Sequence, residues 1–381
     1  MRKHWMDNLR WVTVLLVLLY HVIYFYNNKG VFGGIGGFGD GPQYQDVVMY
    51  ILYPWFMPLL FILAGIGSRY ALERQPAGEW FRSRTRKLLV PSTIGLFVFH
   101  WMVGWFNTAV AARTGALDGM PALAKYIMMA LSGTGPLWFI QVLWLLCIVL
   151  LIIRAIDRKD RFHAWCGKAG IVWIILLGVL FWAGEQTLVR NPRPQSADGL
   201  WNLYKPLFYM IPFLLGYFVF SHDEVQENVK QAWIPLMACA VISGGILIGT
   251  TFGQDNTSPQ YLGSPMNCIY GWLMCLAMMG WFMARFNRTG IFAGYMTRSS
   301  FGIYIVHYLV IASLGYMMKT HTELPPAAMY LILGVAVFTL SPLIYEIIRR
   351  IPLIRWCVLG IKPARRLNAH RADGAEASDG C

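Results

Sequence analysis

The stretch DNLRWVTVLLVLLYHVIY, from Asp7 to Tyr24, is an almost continuous apolar segment with one arginine near its start and one histidine deep inside it. Its length and apolar content predict a membrane-spanning helix. Arg10 and His21 are eleven residues apart, which places them within roughly 20° of one another around the helix and about 16 Å apart along its axis. One face therefore carries a cation at the membrane edge and an imidazole near the membrane core. Asp7 is spaced to pair with Arg10 or to orient it.

A histidine inside a membrane span has two interpretations. It either hydrogen-bonds a neighbouring helix or takes part in chemistry, because ionisable groups are costly in the membrane and usually serve a function there. An arginine at the end of a span is unremarkable on its own, since snorkelling and the positive-inside bias place many arginines there. The shared face of Arg10 and His21 favours the second interpretation, an active-site helix of a membrane enzyme.

The composition of the chain is that of a multi-pass membrane protein. Its 381 residues are 57% apolar, 15% aromatic and only 13% charged, which lies outside the range of ordinary soluble domains. The net charge is +13, but the basic residues lie between apolar segments, so membrane orientation explains them better than nucleic-acid binding does. We predict no nucleic-acid partner. The seven cysteines lack the spacing of a metal site and the density of a disulfide scaffold, which predicts free thiols and no metal.

Apolar windows of about 20 residues predict an all-α membrane protein with about ten transmembrane helices. With the N-terminus inside, 25 of the 32 lysines and arginines fall on the inner side and 7 on the outer side. This asymmetry predicts that both termini are cytoplasmic. No small-residue cleavage site follows the first span, so we expect it to be retained. The predicted spans are 8–26, 47–68, 88–108, 137–155, 170–186, 203–220, 232–251, 266–285, 300–318 and 327–348.

The domain organisation follows from these spans. We predict one transmembrane domain over residues 1–361 and a disordered cytoplasmic tail over 362–381, because the tail has too few apolar residues to fold. The first outer loop, from Lys29, is glycine-rich, and we interpret it as either a plain flexible connector or a mobile lid. The outer loops are too short to hold a folded domain. Capture of an external substrate must therefore use the spans, the short loops or a separate extracytoplasmic partner protein.

The inner segment between the second and third spans is the most basic part of the chain. It ends in Leu88-Leu89-Val90-Pro91. Its positive charge exceeds what topology alone requires, and it suits either a phosphate-bearing ligand or the anionic headgroups of lipids. The sequence leaves these two alternatives open. The cations of this segment are Arg69, Arg74, Arg82, Arg84, Arg86 and Lys87.

The ninth span carries a polar stripe. Ser300, Tyr304 and His307 recur at intervals of four and three residues and therefore share one helix face. Such a stripe must face protein or a water-filled cavity, because lipid cannot satisfy its hydrogen bonds. Hydrogen bonding between helices and a direct chemical role both fit it. His100 in the third span and Glu185 in the fifth are further, weaker candidates for functional ionisable groups.

Taken together, these stretches resemble the acyltransferase-3 family of integral-membrane acyltransferases. Arg10 and His21 match the Arg-x10-His signature of that family. Further matches follow in order along the chain: MPLLFILAG at Met57–Gly65, RTRKLLVP at Arg84–Pro91, the weaker LWFI at Leu137–Ile140, and SSFGIYIVH at Ser299–His307. Ala64 stands where the family often has serine. Lys87 stands where the second arginine of an Arg-x-x-Arg pair is expected, and Arg82 with Arg86 offers another register.

The resemblance implies an enzyme, an acyltransferase that transfers groups other than aminoacyl groups. It implies that an acyl group, acetyl or similar, moves from acyl-CoA in the cytoplasm to a hydroxyl of an exported glycan or other external acceptor, at a bacterial inner membrane. The histidine matching His21 is the proposed catalytic residue in that family, and the arginine matching Arg10 is linked to the donor. We expect no cofactor, since acyl-CoA is a substrate. The expected partners are acyl-CoA, the acceptor and the lipid bilayer.

The residues themselves support the same chemistry. A neutral imidazole at His21 can take the proton of an acceptor hydroxyl as it attacks a thioester. Arginine and lysine at the inner face can hold the phosphates of CoA. The predicted donor-binding residues are Arg10, Arg82, Arg84, Arg86 and Lys87. The predicted supporting residues are Asp7, Ser300, Tyr304 and His307.

Two other functions use similar features. A transporter or flippase of a polar lipid or glycan also needs polar groups within the membrane and basic residues at the openings of its pathway. It would not release free CoA when the acceptor is added. A non-catalytic scaffold in an envelope-polysaccharide assembly would leave acylation unchanged when His21 is mutated.

Overall fold

The computed structural model describes residues 3–27, 34–39, 41–112, 119–188 and 205–361. These residues are 80% helical and contain no strand. The predicted tail over 362–381 and the start of the glycine-rich loop at Lys29 lie outside the described residues. The helices, in chain order, are α1 His4–Phe25, α2 Val47–Leu52, α3 Phe56–Leu72, α4 Ala77–Arg84, α5 Trp101–Ala112, α6 Ala122–Ser132, α7 Trp138–Ile156, α8 Arg161–Cys166, α9 Ile171–Leu176, α10 Gly178–Leu188, α11 Pro206–Phe218, α12 Asp223–Gln231, α13 Trp233–Thr251, α14 Pro259–Leu262, α15 Pro265–Arg285, α16 Ile291–His321, α17 Pro326–Arg350 and α18 Pro352–Leu359.

Within the described residues, eight helical segments are long and apolar enough to cross a membrane. Each coincides with one of the predicted spans, so the prediction of an all-α, multi-pass membrane protein is confirmed. The eight segments are α1, Tyr44–Leu72 with α2 and α3, Gly135–Ile156 with α7, Ile171–Leu188 with α9 and α10, α13, α15, α16 and α17.

The other two predicted spans take different forms. Residues 88–108 contain turn residues between two short π-helical segments, Thr85–Leu89 and Leu96–His100, before α5 begins. Pro91 falls within this break, where its missing N–H prevents a continuous helix. The span 203–220 corresponds to α11, whose 13 residues cover about 20 Å, less than the roughly 30 Å of a bilayer core. The count of ten spans and the cytoplasmic side of both termini therefore stay predictions.

The first helix lies inside the bundle. It contacts α2, α3, α15, α16 and α17, and Leu9 and Leu18 on it are fully buried. Near its N-terminus the Asn8 amide donates to the carbonyls of Phe286 and Arg288 at 2.7 Å each, which ties α1 to the segment after α15. A helix surrounded in this way presents its polar side chains to protein and not to lipid.

The helices α3 and α11 approach each other closely. A Cβ atom added to Gly65 would lie 2.0 Å from the carbonyl oxygen of Phe213, and one added to Gly216 would lie 2.1 Å from that of Ile62. Only glycine lets the two backbones touch in this way. The last residue of the stretch MPLLFILAG is therefore required for packing, and it fixes the segment beside the centre of the bundle.

Candidate functional site

The histidines of the first and ninth predicted spans meet in the centre of the bundle. His307 Nε2 on α16 lies 3.3 Å from His21 Nδ1 on α1, and their ring centroids are 5.1 Å apart. His307 is completely buried, whereas His21 keeps part of its surface exposed. The structure thus brings two predicted site residues into contact, and His21 is the more exposed of the two.

Backbone carbonyl groups determine which nitrogens of this pair carry protons. His21 Nδ1 lies 2.8 Å from the oxygen of Val17, and His307 Nδ1 lies 2.5 Å from the oxygen of Tyr304. Since a carbonyl oxygen only accepts, each Nδ1 must donate. In the neutral rings Nε2 is then unprotonated. The single N–H of His21 Nδ1 is then shared between the Val17 carbonyl oxygen and the more distant His307 Nε2, and His21 Nε2 is left as the basic atom of the pair.

Tyrosine rings surround the His21 imidazole. The centroids of Tyr20 and Tyr308 lie 5.3 Å from that of His21, and the centroid of Tyr24 lies 6.0 Å away, all three in edge-to-face geometry. Tyr20 also stacks on Tyr53, which follows α2, at 5.9 Å. Tyrosine combines an apolar ring with a polar tip. The surroundings of His21 therefore combine apolar ring surface with phenolic hydroxyl groups.

The polar stripe of α16 lies against the turn that precedes α7. Ser300 and Tyr304 are buried together with His307. The Tyr304 hydroxyl donates to the carbonyl oxygen of Pro136, and a Cβ atom at Gly135 would lie 3.7 Å from Tyr308. The stripe thus faces protein, and it positions the start of α7 beside the histidine pair.

Arg10 lies at the end of α1 opposite to His21. Its Nη1 is 3.6 Å from Asp7 Oδ1, so the predicted pairing of these two residues is present. The arginine side chain is 41% exposed. It extends past α3, where a Cβ atom at Gly67 would lie 3.6 Å from Arg10 Nη2. The guanidinium group is therefore accessible from the inner side of the membrane in the predicted orientation.

The basic segment occupies α4 and the π-helical turn after it, and packs on α7 and α18. Trp144 Nε1 donates to Thr85 Oγ1 at 3.0 Å, and Arg86 Nε donates to the Gly360 carbonyl at 3.3 Å. The Arg84 guanidinium lies over the ring of Trp80 at 5.7 Å. Among the described residues no carboxylate pairs with the four cations of this segment, Arg82, Arg84, Arg86 and Lys87.

The charges of this segment act on one another. Partial burial, followed by the positive charges of Arg84 and Arg86, lowers the pKa of the Lys87 ammonium group. Burial also lowers the pKa of Arg84. A bound anion would offset this repulsion. The electrostatics of the segment therefore favour an anionic ligand.

A cavity of about 490 Å³ opens beside the basic segment. Two guanidinium groups, a threonine hydroxyl and two aromatic side chains line it together. Trp356 of α18 was not predicted as a site residue, because nothing in the sequence relates it to the basic segment far earlier in the chain. The lining residues are Gly78, Phe81, Arg82, Thr85, Arg86, Val90 and Trp356.

Arg69 does not belong to this set, although the sequence groups it with the basic segment. It is buried, and it forms ion pairs with Glu73 at 2.7 Å and with Asp160 at 3.0 Å. Its charge is balanced within the protein. Arg69 therefore ties α3 to the segment before α8 and is not available to a ligand.

The two weaker candidates differ from one another. Glu185 pairs with Lys205 at 3.4 Å, and both side chains are buried. His100 is 2% exposed, and its Nε2 atom has no hydrogen-bond partner among the described residues. The charge of Glu185 is thus balanced by Lys205, whereas His100 Nε2 makes no hydrogen bond among the described residues.

Comparison with known proteins adds to this geometry. A family model described as an acyltransferase domain matches residues 3–346. The chain belongs to the acyltransferase-3 family. It is therefore a membrane acyltransferase. The matched range contains every site residue predicted from the sequence, whereas Trp356 lies beyond it.

Curated relatives span nearly the full length of this acyltransferase. Glucans biosynthesis protein C of Salmonella typhimurium is 21% identical over 384 residues, which cover 96% of each chain. The protein of the same name from Escherichia coli K12 is 20% identical over 381 residues, 96% of this chain and 97% of the relative. No solved structure matches the chain.

Proposed function

We propose that this acyltransferase moves an acyl group, acetyl or similar, from cytoplasmic acyl-CoA to a hydroxyl of an exported glycan or other extracytoplasmic acceptor. We further propose that the protein lies in the inner membrane of a bacterium. The contact between His21 and His307 carries the proposal, because it leaves an accessible imidazole with an unprotonated Nε2 and a held Nδ1–H. A general base for a hydroxyl group needs that arrangement.

In the proposed reaction the acceptor oxygen attacks the carbonyl carbon of the thioester while its proton passes to His21 Nε2. The bond between carbon and sulfur then breaks. The CoA thiolate takes the proton from His21, so the products are an ester and free CoA. His307 Nε2 and the Val17 carbonyl oxygen share the N–H of His21 Nδ1 throughout, which holds the ring in one orientation and stabilises the imidazolium that forms briefly.

The donor would bind at the inner side. Arg82 and Arg86 line the cavity with their guanidinium groups, which suit phosphate groups. Phe81 and Trp356 add aromatic faces on which an adenine ring can stack. In this proposal Arg84 and Lys87 add positive charge beside the cavity. Arg10, with Asp7, borders the path of the pantetheine arm toward His21.

The nature of the acceptor is supported by two observations. The tyrosine rings around His21 present both apolar faces and hydroxyl groups, which suits the alternating C–H and O–H surface of a sugar. The name of the two relatives refers to glucan biosynthesis. We therefore propose a glucan or a related glycan as the acceptor, presented directly or by a separate extracytoplasmic protein.

Transfer can be measured with the purified protein in nanodiscs, which leave both sides accessible. Acetyl-CoA and a soluble glucan are supplied, free CoA is followed with a thiol reagent, and the glucan is analysed by mass spectrometry. We expect CoA release that depends on the glucan and an equal amount of glucan ester. His21→Ala should reduce turnover per folded, donor-binding molecule by roughly 10²–10⁴-fold. The exposed His321 on α16 offers a matched control, His321→Ala, which should leave turnover unchanged.

Two results would contradict the proposal. Wild-type protein that carries the glucan across sealed vesicles without acylating it would indicate transport. Normal turnover of folded His21→Ala protein would make His21 a structural histidine, whose loss affects only stability.

A further inference from the structure

His100 is a buried polar group that the mechanism above does not use. It is the last residue of the π-helical segment Leu96–His100, directly before α5. Its side chain is 2% exposed, and Nε2 has no partner among the described residues. A buried ring nitrogen without a hydrogen bond is costly, and each such group in a native protein requires an explanation.

The position of His100 relates it to the histidine pair. A Cβ atom at Gly133 would lie 2.0 Å from the His100 carbonyl oxygen. Further along the same turn, a Cβ atom at Gly135 would lie 3.7 Å from Tyr308, and the Pro136 carbonyl oxygen accepts a hydrogen bond from the Tyr304 hydroxyl. A single short turn therefore separates the backbone of His100 from the polar stripe of α16.

The local backbone supports a functional interpretation. π-helical segments are rare, and they occur frequently at functional sites because the extra residue in the turn redirects side chains. Here the π-helical segment ends at His100, whose ring nitrogen Nε2 has no partner among the described residues. An apolar side chain would fill the same space without that cost.

We infer that His100 is a further catalytic residue of the acyl transfer, an inference that rests on the proposed function. Its Nε2–H donates a hydrogen bond to the thioester carbonyl oxygen as negative charge develops there. No bond to His100 forms or breaks. The acceptor oxygen adds to the carbonyl carbon, the electron pair of the C=O bond moves onto oxygen, and it returns as the sulfur leaves. The acceptor proton passes through His21 as described above. A donor held in a dry site is well placed to stabilise that oxygen.

Two substitutions at His100 separate catalysis from packing. His100→Phe keeps the ring and removes the donor, whereas His100→Gln keeps an N–H group. We expect His100→Phe to lower turnover by roughly 10²–10³-fold, with little change in KM for acetyl-CoA or the glucan. Its unfolding temperature should stay the same or rise, because no internal hydrogen bond of Nε2 is lost. His100→Gln should recover part of the turnover.

The matched control is Ser341→Ala. Ser341 on α17 is also fully buried with a hydroxyl oxygen that lacks a partner among the described residues, and we expect its removal to leave turnover unchanged. Wild-type turnover in folded His100→Phe protein would overturn the inference. The inference would also be overturned if turnover in His100→Phe falls only in proportion to the amount of folded protein and His100→Gln does not recover it. If the wild-type protein itself transfers no acyl group from acetyl-CoA, the proposed function fails and this inference falls with it.

Discussion

His307 Nε2 lies 3.3 Å from His21 Nδ1, across a sequence separation of 286 residues. The contact joins the first and the last of the sequence stretches that identify the family. It also distinguishes the two rings, because His307 is completely buried while His21 is partly exposed. In the proposed mechanism the reactive unit therefore consists of both helices.

The pairing predicts coupled effects on turnover. His307→Ala removes one of the two groups that accept the N–H of His21 Nδ1 and leaves only the Val17 carbonyl, so the His21 ring is held less firmly. We expect a loss of roughly 10–100-fold, typical of a residue that orients a reactive imidazole. The double variant of His21→Ala and His307→Ala should be about as slow as His21→Ala alone, because residues that act as a unit are not additive. Acetyl-CoA turnover normalised to folded protein measures this.

Independent action would give a different result. If the two losses multiply in the double variant, His307 acts on the reaction separately from His21. His321→Ala, on the same helix but exposed, controls for general effects of removing an imidazole.

The sequence predicted the local features of this protein well. Apolar length determines a membrane helix, so α1 and α16 were predictable, and the interval from Ser300 to His307 defined one face of α16 without any tertiary information. Hydropathy averages over a window, however, and it does not detect the break around Pro91. That is why residues 88–108 were predicted as one span although the helix is interrupted there.

Contacts between distant residues were not predictable from one chain. The sequence groups Arg69 with a basic cluster, whereas the structure pairs it with Asp160, which is 91 residues away in the chain. Trp356 lines the cavity only because α18 packs against the basic segment. The meeting of His21 with His307 is of the same kind, since helix pairing and not helix periodicity creates it.

The cavity predicts how the donor is held. Arg82→Gln and Arg86→Gln should each weaken acyl-CoA binding by about 1–3 kcal/mol, because each removes a charge-assisted contact. Arg84→Ala should also weaken donor binding, by less than Arg86→Gln, since its guanidinium packs on Trp80. Titration calorimetry with a non-hydrolysable acyl-CoA analogue gives these affinities.

Arg74→Gln is the matched control for the cavity, because Arg74 is exposed on the same inner segment and does not line the cavity. Trp356→Leu should weaken binding of acyl-CoA but not of an acyl-pantetheine, which lacks the adenine ring. Unchanged donor affinity in the combined Arg82 and Arg86 variant would assign the basic segment to lipid headgroups.

The orientation of the chain can be tested with single cysteines. The bias of lysine and arginine toward one side predicts that residue 35 is outside and residue 76 inside. In a background without accessible native thiols, a membrane-impermeant reagent added to intact cells should label Ile35→Cys and not Pro76→Cys. Labelling of residue 76 alone would reverse the topology and place the basic cavity on the side that lacks acyl-CoA.

A lysine and a backbone hydrogen bond hold the described part of the glycine-rich loop against the C-terminal end of α1. Lys319 Nζ donates to the carbonyl oxygens of Gly36 and Gly37, the second at 2.8 Å, and lies 5.1 Å from the centre of the Phe38 ring. The Ile35 N–H donates to the Phe25 carbonyl at 2.8 Å, one helical turn beyond His21. These contacts close the loop onto the helix that carries the proposed base.

Lys319→Met keeps most of the side-chain length and removes the donor. Because the loop then loses its charge-assisted hydrogen bonds, we expect faster thiol labelling of Ile35→Cys and a KM change for the glucan that exceeds the change for acetyl-CoA. Lys125→Met, on the predicted outer side but away from the loop, should change neither quantity. If the labelling rate of Ile35→Cys stays the same in the Lys319→Met background, the loop is held by the hydrogen bond from Ile35 to Phe25 and by the contact of the Phe38 ring with that of Tyr26, 5.0 Å away, and the lysine does not control access to His21.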